Sequence, residues 1–235
     1  MRHMYKGSAS NTMVFDYEGK GGYYYAFSKE LSTKTYTEVF ANIVLPTRFN
    51  RTAAVPRNAY IAFGIRGKNG YGVDLGLANT GRGWYPCYFD TLGIYDDFPD
   101  YVAPSNATNA GIVVKPIDEK HVHMYIQFQD INGKNVGKTF DQTISVETRP
   151  GGWNRYYRFA SMIVGENDPN NVSDETYMVG GKFTNMGIYN GNTYIPWGIT
   201  GSSSLCEVAW SEEFPKAQVL NSTAHGEEFR IDHWA

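Results

Sequence analysis

His121-Val122-His123-Met124-Tyr125-Ile126-Gln127-Phe128-Gln129 alternates without interruption. Val122, Met124, Ile126 and Phe128 fall on one side, and His121, His123, Tyr125, Gln127 and Gln129 on the other. Strand side chains point to opposite faces with a period of two, so the run reads as a β-strand with one face in a core. The other face carries no Lys, Glu or Asp, only rings and uncharged hydrogen-bonding groups. Donors and acceptors lie together there, as a ligand made of hydroxyls requires. The spacing predicts the floor of a binding groove, with His123, Tyr125, Gln127 and Gln129 as its polar contacts. Gln127→Ala is then expected to weaken binding and to leave the fold intact.

The same period recurs on both sides of this run. Tyr36 to Leu45 puts Val39, Ala41, Ile43 and Leu45 on one face and stops at Pro46, which cannot donate to a ladder. Ala59 to Arg66 and Tyr71 to Leu77 flank a Gly-Lys-Asn-Gly turn and read as a hairpin. In its second arm Asp74 stands between Gly72 and Gly76. That spacing means either open space above the sheet or crowding by a neighbouring backbone. Further strands are expected at Trp153–Val164, 182–189, 204–210 and 228–234, and a long loop at 91–109. No amphipathic helix of useful length occurs. Short strands separated by turns predict an all-β protein, a two-sheet antiparallel β-sandwich of jelly-roll, concanavalin-like type. Met1 to Met4 reads as a cloning remnant, and residues 5–235 as one sandwich domain.

With 235 residues the chain can build a core without staples. A net charge of −3 with scattered Lys and Arg points to no nucleic-acid partner, and no apolar run is long enough to span a membrane. Cys87 and Cys206 are compatible with one bridge or with two buried thiols. The chain has 18 Tyr and 5 Trp, more rings than one core readily holds, so some are expected at a recognition surface. Trp84 follows Gly83, Trp153 follows Gly151-Gly152, and Trp197 sits in a Pro-Trp-Gly turn. A Trp beside Gly or Pro in a turn is harder to bury than one inside a strand. Trp84, Trp153 or Trp197 is therefore expected to stack on sugar rings beside the polar strand face, with Tyr85 and Tyr189 as further carbohydrate-binding residues.

Tyr60-Ile-Ala-Phe-Gly-Ile-Arg66, Gly72-Val-Asp-Leu-Gly76, Gly83-Trp-Tyr-Pro86 and the run His121–Gln129 together resemble the large β-sandwich carbohydrate-binding modules of plant-cell-wall-degrading, cellulosome-forming bacteria. The resemblance implies a non-catalytic module that binds a β-glucan or a hemicellulose such as xyloglucan. It also implies an extracellular, secreted setting within a larger enzyme or cellulosomal protein.

Two enzyme classes share such folds. A retaining glycosidase needs two carboxyl groups about 5 Å apart, and no Glu-x-Asp-x-Glu run exists here. A polysaccharide lyase is the alternative function, because His123, Tyr125 and Gln127 share a face and Tyr189 supplies a second phenol. Against it, the face is neutral where a uronate groove should be basic. No cofactor is required by either reading. His121 and His123 have no third ligand identifiable nearby. The acidic clusters at Asp96-Asp97-Asp100 and at 166–175 read as solvated loops, with a structural calcium as the alternative.

Overall fold

The computed structural model describes residues 4–7, 13–16, 21–28, 37–46, 48–49, 57–67, 72–79, 81–90, 95–146, 153–164, 177–198, 206–210 and 216–232. In chain order the strands are β1 (Met4–Gly7), β2 (Met13–Asp16), β3 (Gly21–Ser28), β4 (Glu38–Val44), β5 (Arg48–Phe49) and β6 (Arg57–Gly67). Next come β7 (Gly72–Asn79), β8 (Tyr85–Asp90), β9 (Tyr95–Asp97), β10 (Asn109–Pro116), β11 (His121–Gln129) and β12 (Asn135–Ser145). The last are β13 (Trp153–Val164), β14 (Tyr177–Tyr189), β15 (Tyr194–Pro196), β16 (Cys206–Trp210), β17 (Lys216–Thr223) and β18 (Gly226–Asp232).

One sheet runs β16-β3-β13-β6-β7-β8-β9, and the other runs β12-β11-β10-β4-β14-β18-β17 with β15 and β5 also on β14. β1 and β2 form a separate hairpin. The two large sheets face each other as an antiparallel sandwich. Alternation sets their inner faces: β4 and β10 bury every second residue, and Val39, Ala41, Ile43, Ile112 and Val114 enter the core. β11 contributes Val122, Met124, Ile126 and Phe128, as its period predicts. From the opposite sheet come Ile61, Phe63, Ile65, Val73, Leu75 and Leu77.

The seven-stranded sheet departs from simple alternation. All of β7 is buried, and so are residues 59–66 of β6. A second apolar layer lies on its outward side, built from Tyr60, Ala62, Ala78, Tyr85, Cys87, Tyr157 and Phe159 with Phe89 against it. A strand buried on both faces reads as a near-continuous apolar run, which is how Ala59 to Ile65 reads.

The expected loop at 91–109 carries more structure than its composition suggested. It contains β9 and a 3-10 turn at Pro99–Tyr101. Phe98 and Tyr101 pack their rings on Phe140 at 4.6 and 5.1 Å. A Cys87–Cys206 bridge is excluded by topology. β8 and β16 are five strand steps apart in one sheet, about 24 Å at ordinary strand spacing, and a disulfide spans under about 7 Å between Cα atoms. Cys87 is a free, buried thiol.

Candidate functional site

The polar face of β11 is on the outside of the nine-stranded sheet, but its groups are largely engaged with the protein itself. His123 Nε2 lies 2.6 Å from Asp141 Oδ1, and His121 Nδ1 lies 2.8 Å from Asp118 Oδ2. Gln129 Nε2 donates to Asn135 Oδ1 at 3.4 Å. Tyr125 is half-buried. Gln127 is buried, donates to the carbonyls of Phe128 (3.0 Å) and Val136 (3.2 Å), and accepts from the Thr139 hydroxyl. The amide thus closes an internal network where β11 and β12 slip register between Ile126 and Phe128. Gln127→Ala should therefore destabilise the fold by about 1–3 kcal/mol, since it orphans buried partners. Chemical denaturation checks this, and a variant as stable as wild type would contradict it.

The expected stacking platforms do not converge. Trp197 is 0% exposed and sits between the sheets, and Trp84 is also in the main core. Tyr85 is buried in the second apolar layer of the other sheet. None of these three presents a face to solvent, so their expected role as sugar platforms is corrected. Trp153 is half-buried and its indole nitrogen donates to the Asp118 carbonyl at 2.7 Å. Tyr189 lies on the outer side of the nine-stranded sheet, three strands from β11, with its hydroxyl donating to the Gly191 carbonyl at 3.1 Å. The misreading has a physical cause. The Pro196-Trp197-Gly198 turn is drawn inward because Gly198 N donates to Ala224 O at 2.8 Å, and an added Cβ on Gly198 would overlap the Thr223 carbonyl.

The cluster with unusual chemistry lies on the outward side of the seven-stranded sheet. Cross-strand pairing aligns Tyr157, Gly64, Asp74 and Phe89 in one row over β13, β6, β7 and β8. Paired residues share a face, so Tyr157 can lean across Gly64 toward Asp74. Its ring occupies the space above Gly64, where any Cβ would overlap it, and its hydroxyl donates to Asp74 Oδ1. The Arg66 guanidinium stands over the same ring, 5.2 Å from its centre. Asp74 is 6% exposed. Burial raises its pKa from 3.8 to about 6, against the Tyr157 hydrogen bond and the Arg66 charge, which pull it down. Burial, with Asp74 and Asp97 nearby, pushes the Cys87 thiol well up.

The Gly-x-Asp-x-Gly spacing marked this residue in the sequence, and the crowding reading of its glycines is the observed one. Added Cβ atoms at Gly72 and Gly76 would strike the carbonyls of Ile65 and Ile61. The space belongs instead to Gly64, and Tyr157 fills it.

Metal ligands are scarce by comparison. Among the described residues no group of three or more His, Cys, Asp or Glu could hold a metal ion. Asp96 and Asp100 are exposed, and Asp96 accepts from the Asp97 backbone at 2.9 Å. The acidic segment at 166–175 lies outside the described residues. Among the described residues no helix is long and apolar enough to cross a membrane.

No protein-family model matches the sequence, and no curated protein matches it. Solved structures share the fold. The crystal structure of scytalido-glutamic peptidase with a peptide-based transition-state analogue aligns with a TM-score of 0.56 and 12% identity, over 92% of this chain and 98% of the other. A second structure of scytalido-glutamic peptidase, with a transition-state analogue inhibitor, aligns with a TM-score of 0.52 and the same identity and coverage. The likeness carries the two-sheet sandwich across almost the whole length. It overturns the expectation of a non-catalytic carbohydrate-binding module for β-glucan or xyloglucan, with its cellulosomal setting, and the polysaccharide lyase alternative. Both of these structures are of scytalido-glutamic peptidase.

Proposed function

We propose that the chain is a peptidase that hydrolyses peptide bonds with Asp74 as its working carboxyl. The observation that carries the reading is the buried Asp74–Tyr157 contact, a carboxyl held near pH 6 by its surroundings. A buried carboxyl shifted by desolvation and held by a specific partner is a candidate for a functional site. The fold shared with glutamic peptidases supplies the reaction class.

A carboxylate of this basicity is suited to proton transfer in water. In the proposed step Asp74 takes a proton from a water molecule as the water oxygen bonds to the scissile carbonyl carbon. The same proton then passes to the leaving nitrogen as the C–N bond breaks, and Asp74 returns to its starting form. The Tyr157 hydroxyl and the Arg66 guanidinium are the groups beside Asp74 that can stabilise the developing oxyanion.

This assignment differs from the name of the related enzymes. The acidic residues of that layer on β7 and β9 are Asp74 and Asp97. The glutamate in the same cross-strand row is Glu207, paired with Phe27, which pairs with Tyr157. Glu207 and Asp74 stand four strand steps apart, about 19 Å at ordinary spacing, too far to share a proton. The extracellular location remains part of the proposal, in keeping with polypeptide substrates met outside the cell.

Incubation of the purified chain with an unfolded protein, followed by mass spectrometry of the products, tests the reading. Cleavage should be lost in Asp74→Asn and kept in Glu207→Gln. Loss in Glu207→Gln alone would move the chemistry to the glutamate and overturn the assignment.

A further inference from the structure

Arg158 lies between Tyr157 and Phe159 in β13, and alternation turns it to the opposite side of the sheet from both. It is 0% exposed and paired with Glu227 of β18 in the facing sheet. The pair is a two-pronged fork: Arg158 Nε donates to Glu227 Oε1, and Nη2 donates to Oε2 at 2.7 Å. Trp197 roofs it, with the guanidinium carbon 4.7 Å from the ring centre. The same indole stacks on Phe63 at 6.2 Å. Phe63 and Arg158 are cross-strand partners, and the next pair along is Gly64 with Tyr157. The buried fork therefore lies directly beneath the ring that reaches Asp74.

A buried ion pair is a costly way to join two sheets, because desolvation offsets most of its attraction and well-packed apolar replacements are often as stable. What a fork supplies that an apolar contact does not is direction. Two parallel hydrogen bonds fix the guanidinium plane, and through it the height and twist of β13 at residue 158. Tyr157 is one residue away, and its hydroxyl must clear Gly64 to meet Asp74.

We infer that Arg158 is a positioning residue: its fork to Glu227, clamped by Trp197, sets β13 so that Tyr157 reaches Asp74. The inference rests on the reading of Asp74 as the working carboxyl, but its test does not require cleavage. The groups facing Asp74 are Tyr157 from β13, Arg66 from β6, and Phe89 and Cys87 from β8. Of these, Tyr157 and Arg66 hold its pKa down. Losing the Tyr157 bond should therefore move the Asp74 titration upward.

The experiment follows the Asp74 carboxyl carbon by NMR across pH in the full chain. Tyr157→Phe sets the reference, with an expected rise of about one unit, the order of one hydrogen bond to a charged group. The apolar double variant Arg158→Met/Glu227→Leu should fold and show a rise of the same size. Arg158→Lys, which restores a charge without the fork, should fall between the double variant and wild type. A folded double variant whose Asp74 titrates as in wild type would overturn the inference, leaving the pair a purely structural tie. Should the double variant not fold, Glu227→Gln carries the test. It keeps the volume but weakens the fork, so it should raise the midpoint by a smaller step, and no rise would again overturn the inference. A wild-type chain that cleaves no peptide sinks the proposed function and leaves this titration readable.

Discussion

Between pH 4 and pH 6 the wild-type fold should lose about 3 kcal/mol of stability as pH rises, through roughly two pKa units of one buried carboxyl. The source is Asp74, whose pKa rises from 3.8 to about 6 on folding. In that window the folded state holds a proton that the unfolded chain has released, so raising the pH favours unfolding. The contribution is complete below pH 3.8 and gone above about 6, the reverse of the usual salt-bridged carboxylate. Asp118 runs the usual way: hydrogen bonds from His121 and the Lys120 backbone hold its pKa below the ordinary value, so its effect appears only at lower pH. Asp74→Asn keeps the shape without the titration, and its stability should be flat from pH 4 to 6. Urea denaturation at several pH values reads both. A wild-type curve as flat as the variant's would mean that Asp74 is not perturbed by its burial.

Trp197→Ala should cost about 3–5 kcal/mol, the range for removing a large buried aromatic side chain. The indole is 0% exposed and lies against Phe63 and the Arg158 guanidinium, so the cavity opens beside a buried charge. Its own ring nitrogen finds no hydrogen-bond partner among the described residues, so truncation breaks no polar contact there. The loss is one of packing and of the cation–π roof. Chemical denaturation measures it. A loss under about 1 kcal/mol would mean that the Pro196-Trp197-Gly198 turn is not the inner wedge described above.

Much of the fold was legible because it depends on local period. The inward residues of β4, β10 and β11 follow directly from alternation, and the hairpin of β6 and β7 from its glycine turn. The second apolar layer was less visible. Strands buried on both sides lose the polar alternation that marks a face, and the rings of Tyr60, Tyr85 and Tyr157 read equally well as a recognition surface.

The aromatic residues misled for a related reason. A Trp beside Gly or Pro looks exposed when only the turn is considered, but the destination of the turn is set by partners far along the chain. Trp197 is buried through a hydrogen bond from Gly198 to Ala224. Asp74 was singled out by its flanking glycines, whereas its partner Tyr157 lies 83 residues away. Arg158 and Glu227 are 69 residues apart and leave no local trace. The polar row on β11 was read correctly as a row. Its availability was not legible, because Asp118, Asp141 and Thr139 reach it only once β12 and the β10–β11 turn are in place.

The central claim is that Asp74 hydrolyses peptide bonds, and its most direct test is the rate of peptide cleavage by the wild-type chain from pH 4 to pH 8. The base form of the carboxyl begins the reaction, so kcat/KM should rise with a midpoint near 6 and vanish in Asp74→Asn. No cleavage at any pH, or a rise that persists unchanged in the variant, would contradict the account.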